Sequence, residues 1–258
     1  MEDKINIEVI RKIALNAGNE ILRIYNDADF SRVVDFKDDN SPLTLADQAS
    51  HRVIEKGLTQ AYPELPVISE EGKETPYEER SKWPYFWLVD PLDGTKEFIN
   101  RNGEFTVNIA LIKDKKPVLG VIYTPVTEEL YEGLAGSYAR KIHNSQIQNL
   151  HVNNKSSNRV AVRSKSHPSK EEEKVLNDYN VVDSISVGSS LKFCMVAEGK
   201  ADIYYRHGPT MEWDTAAGHA IVNASGGTVT RLDGSPLLYG KASENFKNPY
   251  FVVRGPAE

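Results

Sequence analysis

The chain has 258 residues, of which 40% are hydrophobic and 26% charged, and a net charge of −6 at neutral pH. Ordinary composition with enough apolar residues for a sizeable core excludes a disordered or fibrous chain. The acidic balance argues against a general nucleic-acid binder, whose affinity comes from Lys and Arg neutralising phosphates, and no run approaches the ~20 apolar residues of a membrane span.

Ile10, Ile13, Ala17, Ile21 and Ile24 recur at helical spacing and predict an amphipathic helix over about residues 5–26. No cationic region followed by an apolar one precedes it, so no secretory signal is expected. A second helix is predicted from Leu45 to Ala61, with Ala46, Ala49, Val53, Ile54 and Leu58 inward. Pro66-Val67-Ile68 reads as a short strand. Tyr85-Phe86-Trp87-Leu88-Val89 is apolar throughout and reads as a central strand. Val107–Ile112 and Pro117–Tyr123 flank Lys113-Asp114-Lys115-Lys116 as a hairpin. The polar, Asn- and Ser-rich stretch 143–158 is the expected boundary between an N-terminal α+β domain, 1–145, and a C-terminal α/β domain, 146–258. The second half reads as a strand near Arg159–Val162, a helix near Ser169–Leu176, and a helix from Ser189 to Glu198 stopped by Gly199. A strand at Ala201–Tyr205, a helix from Thr215 to Ala224, and strands near Thr228–Thr230 and Tyr250–Val253 complete it. Alternating helices and strands in both halves give a mixed class, α/β or α+β, built in layers. Cys194 is the only cysteine, so no internal disulfide can form; in an apolar helix it reads as a buried thiol, and a reducing cytoplasm fits.

Asp90-Pro91-Leu92-Asp93-Gly94-Thr95 ends the apolar strand. In open α/β sheets ligands bind beyond the strands' C-terminal ends. Asp90, Asp93 and the Leu92 carbonyl can converge there, Gly94 lets the backbone come close to a ligand, and Thr95 opens a short helix whose free N–H groups favour an anion. Taken alone, Asp93-Gly94 reads equally well as a turn. Ile68-Ser69-Glu70-Glu71-Gly72 ends another apolar run, and alone it reads as a solvated acidic loop. Trp213-Asp214-Thr215 places Asp214 before a helix, where an N-cap is the plain alternative. The joint pattern is three element ends, each carrying Asp or Glu. If they meet, Glu70, Asp90, Asp93 and Asp214 repel one another and need cations to stay ionised. All-oxygen ligands without His or Cys suit magnesium rather than zinc.

Glu70-Glu71, Asp90 to Thr95, and Trp213-Asp214-Thr215-Ala216-Ala217-Gly218 resemble, in order and separation, the motifs of the inositol monophosphatase superfamily. These are lithium-sensitive, magnesium-dependent phosphomonoesterases, and the resemblance covers nearly the whole chain. Ser41-Pro42-Leu43-Thr44-Leu45-Ala46-Asp47, Asp93-Gly94-Thr95-Lys96-Glu97-Phe98, Gly188-Ser189-Ser190-Leu191-Lys192-Phe193-Cys194 and Gly208-Pro209-Thr210 are most similar to its bacterial 3′(2′),5′-bisphosphate nucleotidases. Inositol monophosphatases usually carry Asn where Glu97 stands. Tyr205 before Arg206 is a departure, since the pattern has Pro there.

The resemblance implies a layered αβαβα sandwich and hydrolysis of 3′-phosphoadenosine 5′-phosphate to AMP and phosphate, a step that clears a by-product of sulfate assimilation. It implies one magnesium ion on Glu70, Asp90 and the Leu92 carbonyl, and a second on Asp90, Asp93 and Asp214. Glu71 either supports them from behind or serves a weak third ion. Glu70, Leu92, Asp93, Gly94, Thr95 and Asp214 would face the scissile phosphate. Thr95 would orient a metal-activated water, and Asp47 would take its proton through the Thr95 hydroxyl, with Glu70 also in the catalytic set. Thr44-Leu45-Ala46-Asp47 also fits a capping box, which is the competing role for Asp47. Ser189 and Ser190 at a predicted helix start, with Lys192 and Arg206, would hold the second phosphate. Ser164 and His167 of Arg163-Ser164-Lys165-Ser166-His167 would approach the nucleotide; a solvated basic loop is the alternative. The expected partner is a small bisphosphate nucleotide, not nucleic acid. The expected setting is the cytoplasm, with attachment at the inner membrane face left open, as monomer or homodimer. Inositol or sugar monophosphatase activity on the same ions, or a non-catalytic metal or nucleotide sensor, are the rival readings.

Overall fold

The structure is a computed structural model that describes residues 4–27, 34–36, 42–164, 170–242 and 246–256. Helix α1 (Ile7–Tyr25) starts at Asn6, whose side chain accepts from the Glu8 N–H. The two-stranded ribbon β1 (Val34–Phe36) and β2 (Pro42–Thr44) leads into α2 (Leu45–Ala61). Then follow β3 (Val67–Ser69), α3 (Tyr77–Arg80), β4 (Tyr85–Asp93), α4 (Thr95–Ile99), β5 (Thr106–Lys113), β6 (Lys116–Thr124), β7 (Glu129–Leu134), β8 (Tyr138–His143) and β9 (Gln146–Asn149). Strands β3 to β9 form one seven-stranded sheet in sequence order, parallel only between β3 and β4. The period of two splits its side chains. Trp87, Val89, Ile109, Leu111 and Val121 lie under α1 and α2, while Phe86, Leu88, Ala110, Ile112 and Ile122 face the opposite way. Burial on both faces is why β4 and β5 are apolar almost throughout.

The rest of the chain gives β10 (Arg159–Arg163), α5 (Lys170–Asp178), β11 (Val181–Ser186), α6 (Leu191–Ala197), β12 (Ile203–Arg206), α7 (Glu212–Ala224), β13 (Thr228–Arg231) and β14 (Phe251–Arg254). Its sheet runs β11-β10-β12-β14-β13, with β11, β10 and β12 parallel. Helices α6 and α7 lie between the two sheets: Phe193, Val196, Ala216, Ala217 and Ile221 share a core with residues of both. Glycines on the first sheet admit α7 closely. A Cβ added at Gly120 would stand 2.2 Å from the Ala217 carbonyl oxygen. Leu176 of α5 packs with Ala161, Ile203, Tyr205 and Val252 on the outer face of the second sheet. The layers are therefore helix, sheet, helix, sheet, helix, the expected αβαβα sandwich.

Several expectations need correction. Strands β7, β8, β9 and β11 and helix α3 went unread in the sequence. Strand β11 is exposed at most positions and β9 at all four, so neither carries the apolar density that marks a strand. His143 pairs with Gln146 across a tight turn, so the first sheet runs through the expected 145/146 division and ends at Asn149. Helix α6 is shorter than 189–198, with Ser190 as its N-cap. Helix α7 begins at Glu212, which makes Asp214 its third residue rather than a residue before it.

Candidate active site

Strands β3 and β4 run parallel, so their C-terminal ends arrive side by side. Glu70 follows β3, and its N–H donates to the Val89 carbonyl at 3.1 Å. Asp90 ends the regular part of β4. Pairing with β5 shifts register between Asp90 and Asp93, and this bulge brings the second carboxylate back toward the first. The Leu92 N–H donates to Asp90 Oδ1 at 3.1 Å. Asp214 enters from the first turn of α7, where its Oδ2 accepts the Met211 N–H at 2.9 Å.

Carboxylate oxygens of Glu70, Asp90 and Asp214 lie within 4.8 Å of one another. Burial, and then the charges of Glu70, Asp93, Asp214 and Asp47, push the Asp90 carboxyl well above the usual carboxylate range. Asp214 is also raised well above that range, by burial and then by Asp93 and Glu70. Asp93 stands beside that trio. Its Oδ2 accepts the Ser190 N–H at 2.5 Å; burial raises its pKa, against the pull of Lys192, Ser189, Ser190 and Asn108. Three carboxylates gathered around a buried Asp90 repel one another as anions, and oxygen donors alone at this spacing fit a hard divalent cation.

The two oxygens of the Asp47 carboxylate have different partners. Oδ2 accepts the Thr44 N–H at 2.8 Å and the Thr44 hydroxyl, closing the capping box. Oδ1 accepts the Thr95 hydroxyl at 3.3 Å. Gly94 has φ +93°, and a Cβ there would stand 3.2 Å from the Glu104 carbonyl oxygen and from Ser189 Cβ. Its freedom therefore serves a left-handed turn packed against the second half.

The cleft beside the carboxylates is lined by Asp93, Gly94, Ser164, Ser189, Lys192 and Arg206, among others. Lys192 Nζ donates to the Ser189 and Val187 carbonyls at 2.6 and 3.3 Å. Loss of water around its ammonium lowers its pKa to about 8, with Asp93 opposing. Arg206 donates to the Pro209 carbonyl at 3.0 Å, and its Nε is buried without a hydrogen-bond partner among the described residues. Ser189 is held at φ +52°, with its hydroxyl 2.7 Å from Thr106 Oγ1. The Ser190 hydroxyl points inward, to Thr106 and Asn108 at 2.8 Å each. His167 lies outside the described residues. Glu71 is half-buried next to Glu70.

Sequence reasoning missed several groups here. Tyr204 lines the cleft, and His207 lines the depression that continues it past Ser164 and Arg206. Thr106 and Asn108, beneath Asp93, are polar residues two apart in an apolar strand. That alternation places both on one face and was the available signal. Ser50 and His51 on α2 were also passed over.

The sequence profile of the inositol monophosphatase family matches residues 4–251. The chain is 47% identical over 247 residues to the 3′(2′),5′-bisphosphate nucleotidase CysQ of Escherichia coli O157:H7, covering 96% of this chain and 98% of that one. The crystal structure of CysQ from Bacteroides thetaiotaomicron superposes with a TM-score of 0.85 at 43% identity, over 97% of both chains. An inositol monophosphatase from Anabaena (Nostoc) sp. PCC 7120, at 24% identity and a TM-score of 0.73 over 96% of this chain and 89% of its own, shares the fold.

Proposed function

The chain belongs to the inositol monophosphatase family, and from that premise we propose that it is a 3′(2′),5′-bisphosphate nucleotidase, a magnesium-dependent phosphomonoesterase releasing phosphate from 3′-phosphoadenosine 5′-phosphate. One observation carries the reading. Glu70, Asp90 and Asp214, far apart in sequence, bring carboxylate oxygens within 4.8 Å, around a buried Asp90 and beside a cleft that Lys192 and Arg206 also line.

Glu70, Asp90 and the Leu92 carbonyl would hold one magnesium ion, and Asp90, Asp93 and Asp214 would hold a second. When bound, magnesium supplies charge neutralisation at the phosphoryl group and eases deprotonation of water. The chain's own groups do the rest. The Thr95 hydroxyl orients the attacking water and relays its proton to Asp47 Oδ1, 3.3 Å away. The capping contacts on Oδ2 fix the Asp47 carboxylate, so the acceptor needs no reorganisation. Lys192 and Arg206 bring positive charge to the cleft for the 5′-phosphate. Ser164 and Tyr204 flank the path of the nucleoside. Such an activity clears the nucleotide left by sulfate assimilation. Among the described residues no helix is long and apolar enough to cross a membrane, and a cytoplasmic setting belongs to this proposal.

A phosphate-release panel tests it. 3′-Phosphoadenosine 5′-phosphate is expected to exceed inositol 1-phosphate and fructose 1,6-bisphosphate in kcat/KM by at least about tenfold, a difference of one recognised group. Equal rates would move the assignment to a sugar or inositol phosphatase. Binding of the nucleotide without phosphate release would make the chain a sensor. Excess chelator is expected to abolish turnover, and millimolar lithium to inhibit it at saturating magnesium.

A further inference from the structure

Helix α2 does more than supply Asp47. Asp47, Ser50 and His51 stand at i, i+3 and i+4, on one helix face. Each reaches a different segment of the carboxylate cluster. Asp47 Oδ1 accepts from Thr95 at 3.3 Å. The buried Ser50 hydroxyl donates to the Pro91 carbonyl at 2.6 Å. His51 Nδ1 is 2.9 Å from the Ser69 hydroxyl.

The last two contacts act next to cation-facing groups. Pro91 C=O and Leu92 N–H belong to one peptide plane. Ser50 holds its oxygen end, and Asp90 Oδ1 holds its N–H end at 3.1 Å. That plane cannot rotate without breaking a bond, so the bulge carrying Asp90, the Leu92 carbonyl and Asp93 is set from α2. Ser69 is the residue before Glu70 and begins the turn closed by Gly72 N–H to Ser69 C=O at 2.9 Å. The Glu55 carboxylate, 3.6 Å from His51 Nε2, favours the ring hydrogen on Nε2. Nδ1 then accepts from the Ser69 hydroxyl.

We propose that Ser50 and the His51–Ser69 pair are positioning residues that preorganise the carboxylate cluster for divalent cations, with α2 as the template that spaces Glu70, Asp90 and Thr95. The inference rests on the metal-site reading above and deepens it. Groups behind ligands commonly change metal affinity by roughly 10–100-fold.

The test measures Mn2+ binding to the substrate-free protein by calorimetry and by its electron paramagnetic resonance signal, with folding followed by thermal melting. His51→Ala and Ser69→Ala are each expected to weaken Mn2+ by about tenfold. The double variant should be no weaker than either single, because one contact is lost in all three. His51→Asn, whose amide can stand near the Nδ1 position, is expected to recover most of the affinity. Ser50→Ala removes one oxygen from a rigid helix and offers a second arm should a His51 variant fail to fold; it too is expected to weaken Mn2+ by about tenfold. In turnover, the magnesium requirement should rise while kcat at saturating magnesium stays within about threefold of wild type, because the ligands themselves remain. Wild-type binding with Mn2+ affinity unchanged in Ser50→Ala and His51→Ala would overturn the positioning role alone, as would strictly multiplicative losses in the His51/Ser69 double variant. A wild type that binds no Mn2+ would overturn the metal reading together with this one.

Discussion

At the scale of the residue, the proposed mechanism separates proton transfer, at Asp47, from charge, at Asp90. Asp47→Asn keeps an oxygen that can accept from Thr44 but removes the proton acceptor. It is expected to lower kcat by about 10²–10⁴ with little change in the thermal midpoint, as steady-state kinetics and melting will show. Asp90→Asn should cut turnover at saturating magnesium at least as deeply, because the cation grip is lost. The same variant has an opposite signature in chelator. Without metal, burial and its neighbours raise the Asp90 carboxyl in the fold, whereas in the unfolded chain it titrates near ~4. The folded state then binds the extra proton, so chelated wild type loses stability as pH rises above that value. Chelated Asp90→Asn is expected to be more stable than chelated wild type at pH 8, with the gap closing toward pH 4. Urea unfolding at several pH values measures it, and a gap independent of pH would refute it. Glu70 and Asp90 were legible in the sequence because each follows a recognisable apolar run, and Asp214 because it stands at a helix start. The inward turn of the Ser190 hydroxyl was not, because only the neighbouring strand explains it: Thr106 and Asn108 lie there to receive it. The capping contact and the Thr95 contact of Asp47 do not exclude each other, because a carboxylate has two oxygens.

At the scale of the element, α7 carries an acid-sensitive group. His219 is buried, its Nδ1 3.0 Å from the Tyr239 hydroxyl, and loss of water lowers its pKa to about 3. In the unfolded chain a histidine binds its proton near ~6.5. Stability from neutral His219 is therefore full above that pH and declines on acidification down to about 3, by ~1.4 kcal/mol per pH unit within the window. His219→Gln should lack this component, so the stability difference between wild type and variant is expected to shrink between pH 7 and 4.5. A constant difference in chemical denaturation would disprove it. Helices α1 and α2 were readable because their periodicities are complete, and strands β4 to β6 because their apolar runs are nearly continuous. Ile10, Ile13, Ala17, Ile21 and Ile24 trace one stripe, and Leu45 to Ala61 opens at a capping Thr44. Strands β9 and β11 escaped because edge strands exposed to water need no apolar face; backbone pairing alone places them. The end of β4 was set too early because pairing resumes past the bulge, at Asp93 with Thr106, which is a tertiary fact.

At the scale of the whole molecule, the halves are not independent. Phe86, Leu88, Ala110, Ile112 and Ile122 of the first sheet share a core with α6 and α7. A fragment of residues 1–149 would expose that face to water. It is expected to bind hydrophobic dye and to unfold without a cooperative transition, and a sharp calorimetric melt of the fragment would contradict this. Within the intact sandwich the labour is divided by position along the chain. Asp47, Glu70, Asp90, Asp93 and Thr95 come from the first hundred residues, whereas Ser164, Lys192, Tyr204 and Arg206, facing the same cleft, come from beyond the first sheet. On the proposed mechanism, a lineage can retool its diet by rewriting that later rim while the earlier carboxylates are inherited untouched, with Asp214 and the Ser190–Asp93 contact keeping the two in step.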